Sequence, residues 1–298
     1  MTDIGYGKVI LFGEHFVVHG CPAIAAGISN KAIVRIKEST ENSIITEHAV
    51  VPEMTKKAIA AILGVMNINK KYTVYLEGDL PTFGGMGSSA AFCVALVKCL
   101  AKENNIQLTS EKLNDIAYQG EKAFHGNPSG IDNTMATYGG LMLFTRGKTP
   151  KENKMERFKL RRPLHLVVGI TGKFGATTQM IRNVQEFKDN NPEAFSQLLD
   201  ETRELIYKAM EALERLDLPV IGRLMNENQK LLEVIGVSTE DNEKINNAAL
   251  DAGALGAKLT GGGGGGCCIA LASNEKEAEK IFQAVKKVGY EVFITTVS

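Results

Sequence analysis

The sequence predicts an α+β protein of two domains. Three observations lead there. At 298 residues the chain exceeds the usual size of a single core. Runs with period-two alternation are mixed with runs of helical spacing, without the strict alternation of a parallel α/β sheet. Near the middle, residues 148–159 are charged and break the periodicity, which marks a linker. The expected domains are therefore 1–150 and 151–298.

Composition narrows the function classes. Apolar content of 44% and charged content of 23% are ordinary for a globular protein. Lys plus Arg equals Asp plus Glu at 34 each, so no basic excess points to nucleic acid or an anionic membrane surface. The five cysteines, Cys21, Cys93, Cys99, Cys267 and Cys268, form no C-x-x-C pair, which reads as a reduced inventory of small core residues. No signal segment is evident, and no apolar run approaches the roughly 18 residues of a membrane span. A cytoplasmic location is the expectation.

Along the first half, 7–12 reads as a strand broken by Gly13-Glu14-His15, with 23–26 and 31–37 as further strands and 44–46 as a weak one. Residues 55–65 have helical spacing, with Ile59, Ile62 and Leu63 on one face. Residues 72–77 read as a strand, 110–124 as a helix closed by Gly126 and Pro128, and 138–145 as a strand. In the second half, 164–171 is a strand and Thr177 opens a helix through Val184. Pro192 suits the first turn of a long helix to about Arg215. Residues 220–235 are helical, Ser238-x-x-Asp241 resembles a capping box before 245–252, and 267–272, 275–288 and 290–296 read as strand, helix and strand.

One stretch stands out: Pro81-Thr82-Phe83-Gly84-Gly85-Met86-Gly87-Ser88-Ser89-Ala90, followed by the apolar run Ala91-Phe92-Cys93-Val94-Ala95-Leu96-Val97. The run is apolar on every side and so predicts a buried helix. A flexible, uncharged loop feeding its N-terminus suits phosphate, because free N–H groups and the positive end of the helix dipole meet there. One of the two serine hydroxyls can cap the helix and the other can reach a ligand or metal. No Gly-Lys-Ser/Thr ends the loop, so it is not a Walker A motif, and the βαβ context of a dinucleotide site is missing.

Other residues supply company. Lys8 begins the first strand, and Glu14-His15 lies in a loop flanked by glycines. His15 and His19 are four apart, but H-E-x-x-H is absent and no third zinc ligand suggests itself. Glu121 and Asp132 flank a helix end and a Gly/Pro-rich turn, so the two carboxylates can converge. Lys258-Leu259-Thr260 enters six consecutive glycines, Gly261 to Gly266, between two apolar segments, where close approach to a ligand or another loop explains them better than a linker. An anion cradle, a lysine and two carboxylates are the parts that Mg-ATP phosphoryl transfer requires.

Three stretches together resemble the GHMP small-molecule kinase family: Gly7-Lys8-Val9-Ile10-Leu11-Phe12-Gly13-Glu14-His15-Phe16-Val17-Val18-His19-Gly20, the loop from Pro81 to Ala90, and the run from Thr260 to Cys267. The stretch His125-Gly126-Asn127-Pro128-Ser129-Gly130-Ile131-Asp132-Asn133 is similar to the branch that phosphorylates mevalonate. The resemblance implies an N-terminal domain like ribosomal protein S5 domain 2 and a ferredoxin-like C-terminal domain. It implies phosphorylation of the C5 hydroxyl of mevalonate, with phosphomevalonate, homoserine or a sugar as alternative acceptors. ATP would be co-substrate and Mg²⁺ the metal. Asp132 would be the catalytic carboxylate, paired with Lys8. Gly84, Gly85, Met86, Gly87, Ser88 and Ser89 would surround the phosphates, and Ser89 and Glu121 would bind Mg²⁺. Glu14, His15 and Thr178 would lie near the substrate, and Gly261, Gly262, Gly263 and Gly264 would support the phosphate loop. The S5-like pattern also allows pairing into a homodimer. Two departures are visible: Gly262 stands where the family usually has Ala, and Tyr6 where it has Pro.

Overall fold

The computed structural model describes all residues except 47–52, 82–84, 127, 150–151 and 174–176, and the side chains of Thr177 and Thr178. The chain forms two units drawn from interleaved stretches. The first comprises Met1–Lys8, Gly27–Thr82 and Met86–Gly139, and the second comprises Val9–Ala26, Phe83–Gly85 and Gly140–Ser298.

The first unit carries strand β1 (Thr2–Phe12) as far as Lys8, strand β2 (Pro22–Ser39) from Gly27 onward, strand β3 (Ser43–Thr46), helix α1 (Glu53–Val65), strand β4 (Lys71–Gly78), and helices α2 (Ser88–Glu103), α3 (Ser110–His125) and α4 (Ile131–Tyr138). β4 pairs antiparallel with β2, Ala32 opposite Gly78 through Ser39 opposite Lys71, and parallel with β3. The expected buried helix is α2. Ala90 to Val97 are all buried, and Ala90 and Phe92 to Val97 join Val34, Ile36, Ile62, Tyr72 and Ile116 in one core cluster. Such a helix depends on packing rather than on an amphipathic stripe. Gly5 and Gly120 let it seat closely: a Cβ at Gly5 would overlap the Ala91 carbonyl, and one at Gly120 would crowd Ile62 and Cys93.

The second unit contains strands β5 (Leu141–Thr145), β6 (Lys154–Phe158) and β7 (Leu164–Ile170), helices α5 (Thr177–Asn190), α6 (Pro192–Arg215), α7 (Leu218–Val234) and α8 (Glu240–Asp251), strands β8 (Gly256–Thr260) and β9 (Cys267–Ala272), helix α9 (Glu275–Lys287), and strand β10 (Glu291–Val297). The strand order β10-β7-β9-β8, antiparallel throughout, with helices after β7 and between β9 and β10, is the ferredoxin-like arrangement. Phe16, from the first motif, and Cys21, which follows it, are packed in this unit's core with Val167, Phe195, Leu232 and Leu259. At the sheet's end, the N–H groups of Ala257 and Leu259 on β8 donate to Asn226 Oδ1 and Gln229 Oε1 on α7, each at 2.9 Å.

Several local expectations change. The separate strands 23–26 and 31–37 are one strand, β2, because pairing continues along it, with β5 over its first residues and β4 over its last. Residues 138–145 are not one strand: α4 ends at Tyr138, its Ile131, Met135 and Ala136 buried at helical spacing, and β5 begins at Leu141. The charged stretch 148–159 contains β6, a solvated strand that pairs antiparallel with β5. The capping box before α8 is made by Thr239 and Asn242, one residue later than expected, while the Ser238 hydroxyl accepts from Gln229.

α7 and the start of β8 approach each other closely. A Cβ at Gly222 would overlap the Leu255 carbonyl, and one at Gly256 would overlap Gly222. Gly222→Ala is therefore expected to destabilise the protein by about 1–3 kcal/mol or more. Gly64→Ala, in α1 with open space around it, is expected to be neutral or to stabilise by up to about 1 kcal/mol. Urea unfolding midpoints of the two variants check this contrast.

Candidate active site

In the first unit, the chemistry gathers at the start of α2. Gly87 is the N-cap in a left-handed conformation, φ +71°, with no side-chain cap. Neither serine takes the capping position that was expected of one of them. They follow as the first two helical residues, because the turn into α2 requires a positive φ that glycine adopts without strain. Lys8 donates its backbone N–H to the Met86 carbonyl at 2.9 Å, and its side chain runs across Gly87, where a Cβ would sit 3.1 Å from Lys8 Cγ. The Lys8 ammonium ends 3.2 Å from Asp132 Oδ1. Lys8 is almost fully buried, whereas Asp132 keeps 30% of its side chain exposed. Asp132 lies in the first turn of α4, whose N-cap Gly130 is also left-handed.

Behind Asp132, the network around Asn114 holds α4 to α3. Asn133 Nδ2 donates to Asn114 Oδ1 at 2.7 Å, and Thr137 Oγ1 donates to the same oxygen at 3.3 Å. Asn114 Nδ2 donates to Thr134 Oγ1 at 3.3 Å.

Glu121, on α3, is buried, and its Oε1 has no hydrogen-bond partner among the described residues. Burial, and then repulsion from Asp132, pushes its carboxyl up to about 8, against the opposing effects of the Ser89 hydroxyl and Lys8. A buried carboxylate in that condition calls for a proton or a cation. Together with the Ser89 hydroxyl it offers the hard oxygen ligands that Mg²⁺ takes one or two at a time, with phosphate and water completing the shell. These residues fit the metal. His125 was not singled out from the sequence. Its Nε2 lies 3.2 Å from Ser89 Oγ and 3.9 Å from Glu121 Oε2. The signal was present in the i,i+4 spacing of Glu121 and His125 on one helix.

The first motif continues in the second unit. Glu14 is 1% exposed and forms an ion pair with Lys258, whose ammonium also donates to the Leu259 carbonyl at 2.7 Å. Burial pulls the Lys258 ammonium down from its usual range, and Glu14 opposes this. Lys258 is a functional residue that sequence reasoning missed, although a lysine between Ala257 and Leu259 in an apolar strand is itself a demand for a partner. His15 adopts φ 59°, ψ −44°, a strained conformation for a residue with a Cβ. Its Nε2 lies 3.0 Å from the Gly262 carbonyl, which can only accept, so Nε2 carries the proton and Nδ1 is left as an acceptor. Burial keeps the imidazole below its ordinary range, so it is neutral.

In the glycine run, Gly261, Gly263, Gly264, Gly265 and Gly266 all have positive φ and Gly262 does not. Gly262 is the position where the family's usual Ala would meet no left-handed backbone. Gly261 lies against the Gly85 backbone, and Asn242 exchanges hydrogen bonds with the N–H and C=O of Gly265. Of the remaining expected site residues, Gly84 lies outside the described residues, and Thr178 lies in α5 with an undescribed side chain.

Comparison with known proteins places the chain in a family. The profile of the GHMP kinases N terminal domain matches residues 53–140, and that of GHMP kinases C terminal matches residues 209–291. A mevalonate kinase of Thermococcus sibiricus is 32% identical over 98% of this chain and 94% of its own length. Among solved structures, the L. major mevalonate kinase in complex with R-mevalonate superposes with a TM-score of 0.93 at 34% identity, covering 100% of this chain and 96% of that one. The Methanococcus jannaschii mevalonate kinase does so with a TM-score of 0.84 at 25% identity, covering 100% and 98%. The chain belongs to the GHMP kinase family, in its mevalonate kinase branch.

Proposed function

We propose that the protein transfers the γ-phosphoryl group of ATP to the C5 hydroxyl of mevalonate. The observation that carries this reading is the Lys8–Asp132 pair beside the N-terminus of α2. The C5 oxygen forms a bond to phosphorus as the bond to the bridging oxygen of ADP breaks. Asp132 orients the C5 hydroxyl and accepts its proton as transfer proceeds. Lys8 stabilises the charge on the transferred group, and the N–H groups at the start of α2 cradle the phosphates. Ser89 and Glu121 hold Mg²⁺, which neutralises phosphate charge when bound. Glu14, His15 and Thr178 serve the acceptor. An acceptor that is already phosphorylated would call for a free cation; of the two candidates, Lys173 and Arg182, Lys173 Nζ is bound to Asp241 Oδ2 at 2.5 Å.

ADP release with Mg-ATP and mevalonate, phosphomevalonate, homoserine or galactose offered in parallel tests the acceptor. Turnover with mevalonate is expected, and turnover confined to another acceptor overturns the reading. Asp132→Asn is expected to keep ATP binding and lose about 10²–10⁴-fold in kcat; near-normal turnover removes Asp132 from its role.

The raised Glu121 carboxyl gives a pH signature. Below about pH 8 the group holds a proton that Mg²⁺ must displace. The Mg²⁺ concentration for half-maximal turnover is expected to rise as pH falls from 8 to 6, and Glu121→Gln is expected to abolish that trend. Proton release on Mg-ATP binding, measured calorimetrically in buffers of different ionisation enthalpy, checks the sign. In the metal-free protein the same group retains a proton that the unfolded chain has lost, so its contribution to stability falls as pH rises through that window.

A further inference from the structure

We propose that Lys258 is a specificity-determining positioning residue, which neutralises Glu14 so that the loop at residues 13–15 receives an acceptor bearing a carboxylate. The inference deepens the reading above and rests on its assignment of Glu14 and His15 to the acceptor.

The side chains of Lys258 and Glu14 have no exposure at all. Lys258 sits in β8 between two core residues, Ala257 and Leu259. An ion pair this deep is not needed to fill space, since an apolar pair of equal volume packs as well or better. It lies among other ties that hold the first motif to β8, to the glycine run and to α7. Thr260 Oγ1 accepts the Ile10 N–H at 2.9 Å and donates to the Ile10 carbonyl at 3.0 Å. The Gly13 N–H donates to Asn228 Oδ1 at 3.3 Å. His15 Nε2 donates to Gly262 and holds a backbone conformation that would otherwise relax. The loop is thus fixed by neutral hydrogen bonds on both sides of the ion pair, and its location does not depend on the pair alone.

What the ammonium adds is charge balance. Glu14 immediately precedes the residue whose Nδ1 is left as an acceptor. A carboxylate in a poorly polarisable interior projects more of its charge when a contact cation is removed, whereas a contact pair presents only a dipole. Without Lys258, an anionic acceptor at His15 would meet a like charge. With Lys258, the locus is neutral and His15 can accept a hydrogen bond from the acceptor.

The test compares Lys258→Met, Glu14→Gln and the double variant with wild type, each first checked for cooperative thermal unfolding. The acceptors are mevalonate and 3-methylpentane-1,3,5-triol, which keeps the hydroxyls and lacks the charge. Lys258→Met is expected to raise KM for mevalonate about tenfold or more, with a much smaller change for the triol and no change in KM for ATP. Glu14→Gln shifts the ratio of the two acceptor KM values the opposite way, and the double variant brings it back within about threefold of wild type. A folded Lys258→Met with the wild-type ratio overturns the proposal, as does a rise that is equal for both acceptors, which marks packing alone. If Lys258→Met does not fold, Glu14→Gln decides: a ratio that moves against mevalonate overturns the proposal. Failure of the underlying reading has its own signature, a wild-type protein that ignores mevalonate and phosphorylates another acceptor.

Discussion

An ammonium group that has given up almost all its water needs a carboxylate within contact distance, and Lys8 finds one in Asp132 at 3.2 Å. Much of the first unit is arranged to make that contact hold. Lys8 must cross the turn before α2, so the turn must have no side chain there, and Gly87 meets that need. Asp132 must enter from the other side, so α3 must end, the chain must reverse, and a short α4 must start at a left-handed glycine. The Asn114 network then fixes α4 at a distance from any ligand. Because α2 is buried on all sides, its N-terminus cannot shift without disturbing the core. The anion-binding end and the ion pair are therefore held by the same packing.

Local chemistry was legible in the sequence. Glycines and serines ahead of an apolar run gave the buried helix and its phosphate-binding start, since both signals lie within about 20 adjacent residues. Glu121 and Asp132 were visible as candidates, but their convergence depends on a turn and a short helix that local patterns describe poorly. The eight residues of α4 give barely two turns of periodicity, and the neighbouring Gly139-Gly140 and apolar 141–144 drew the reading toward a strand. β6 was hidden for a different reason. A solvated strand such as Lys154-Met155-Glu156-Arg157-Phe158 has no buried face to impose alternation.

Long-range pairing was beyond the sequence altogether. Lys258 and Glu14 are 244 positions apart, and nothing in either neighbourhood names the other. The first motif lies near the start of the sequence, yet its Phe16 is a core residue of the second unit. The motif is thus divided between two folding environments: Lys8 is held by the first, and residues 13–20 by the second.

The polar residues of α7 have a further consequence. β8 ends its sheet, and the outward N–H groups of Ala257 and Leu259 are already bonded to Asn226 and Gln229. An exposed edge is a template for another chain's strand, and a helix laid across it removes the template. Cys267, Cys268, Ile269, Ala270 and Leu271 on the adjoining strand form an uncharged apolar run, the sort of segment that would extend into intermolecular β-structure if its sheet were open on that side. The two amide side chains of α7 thus act as a seal, taking the hydrogen-bonding positions that another chain's strand would need.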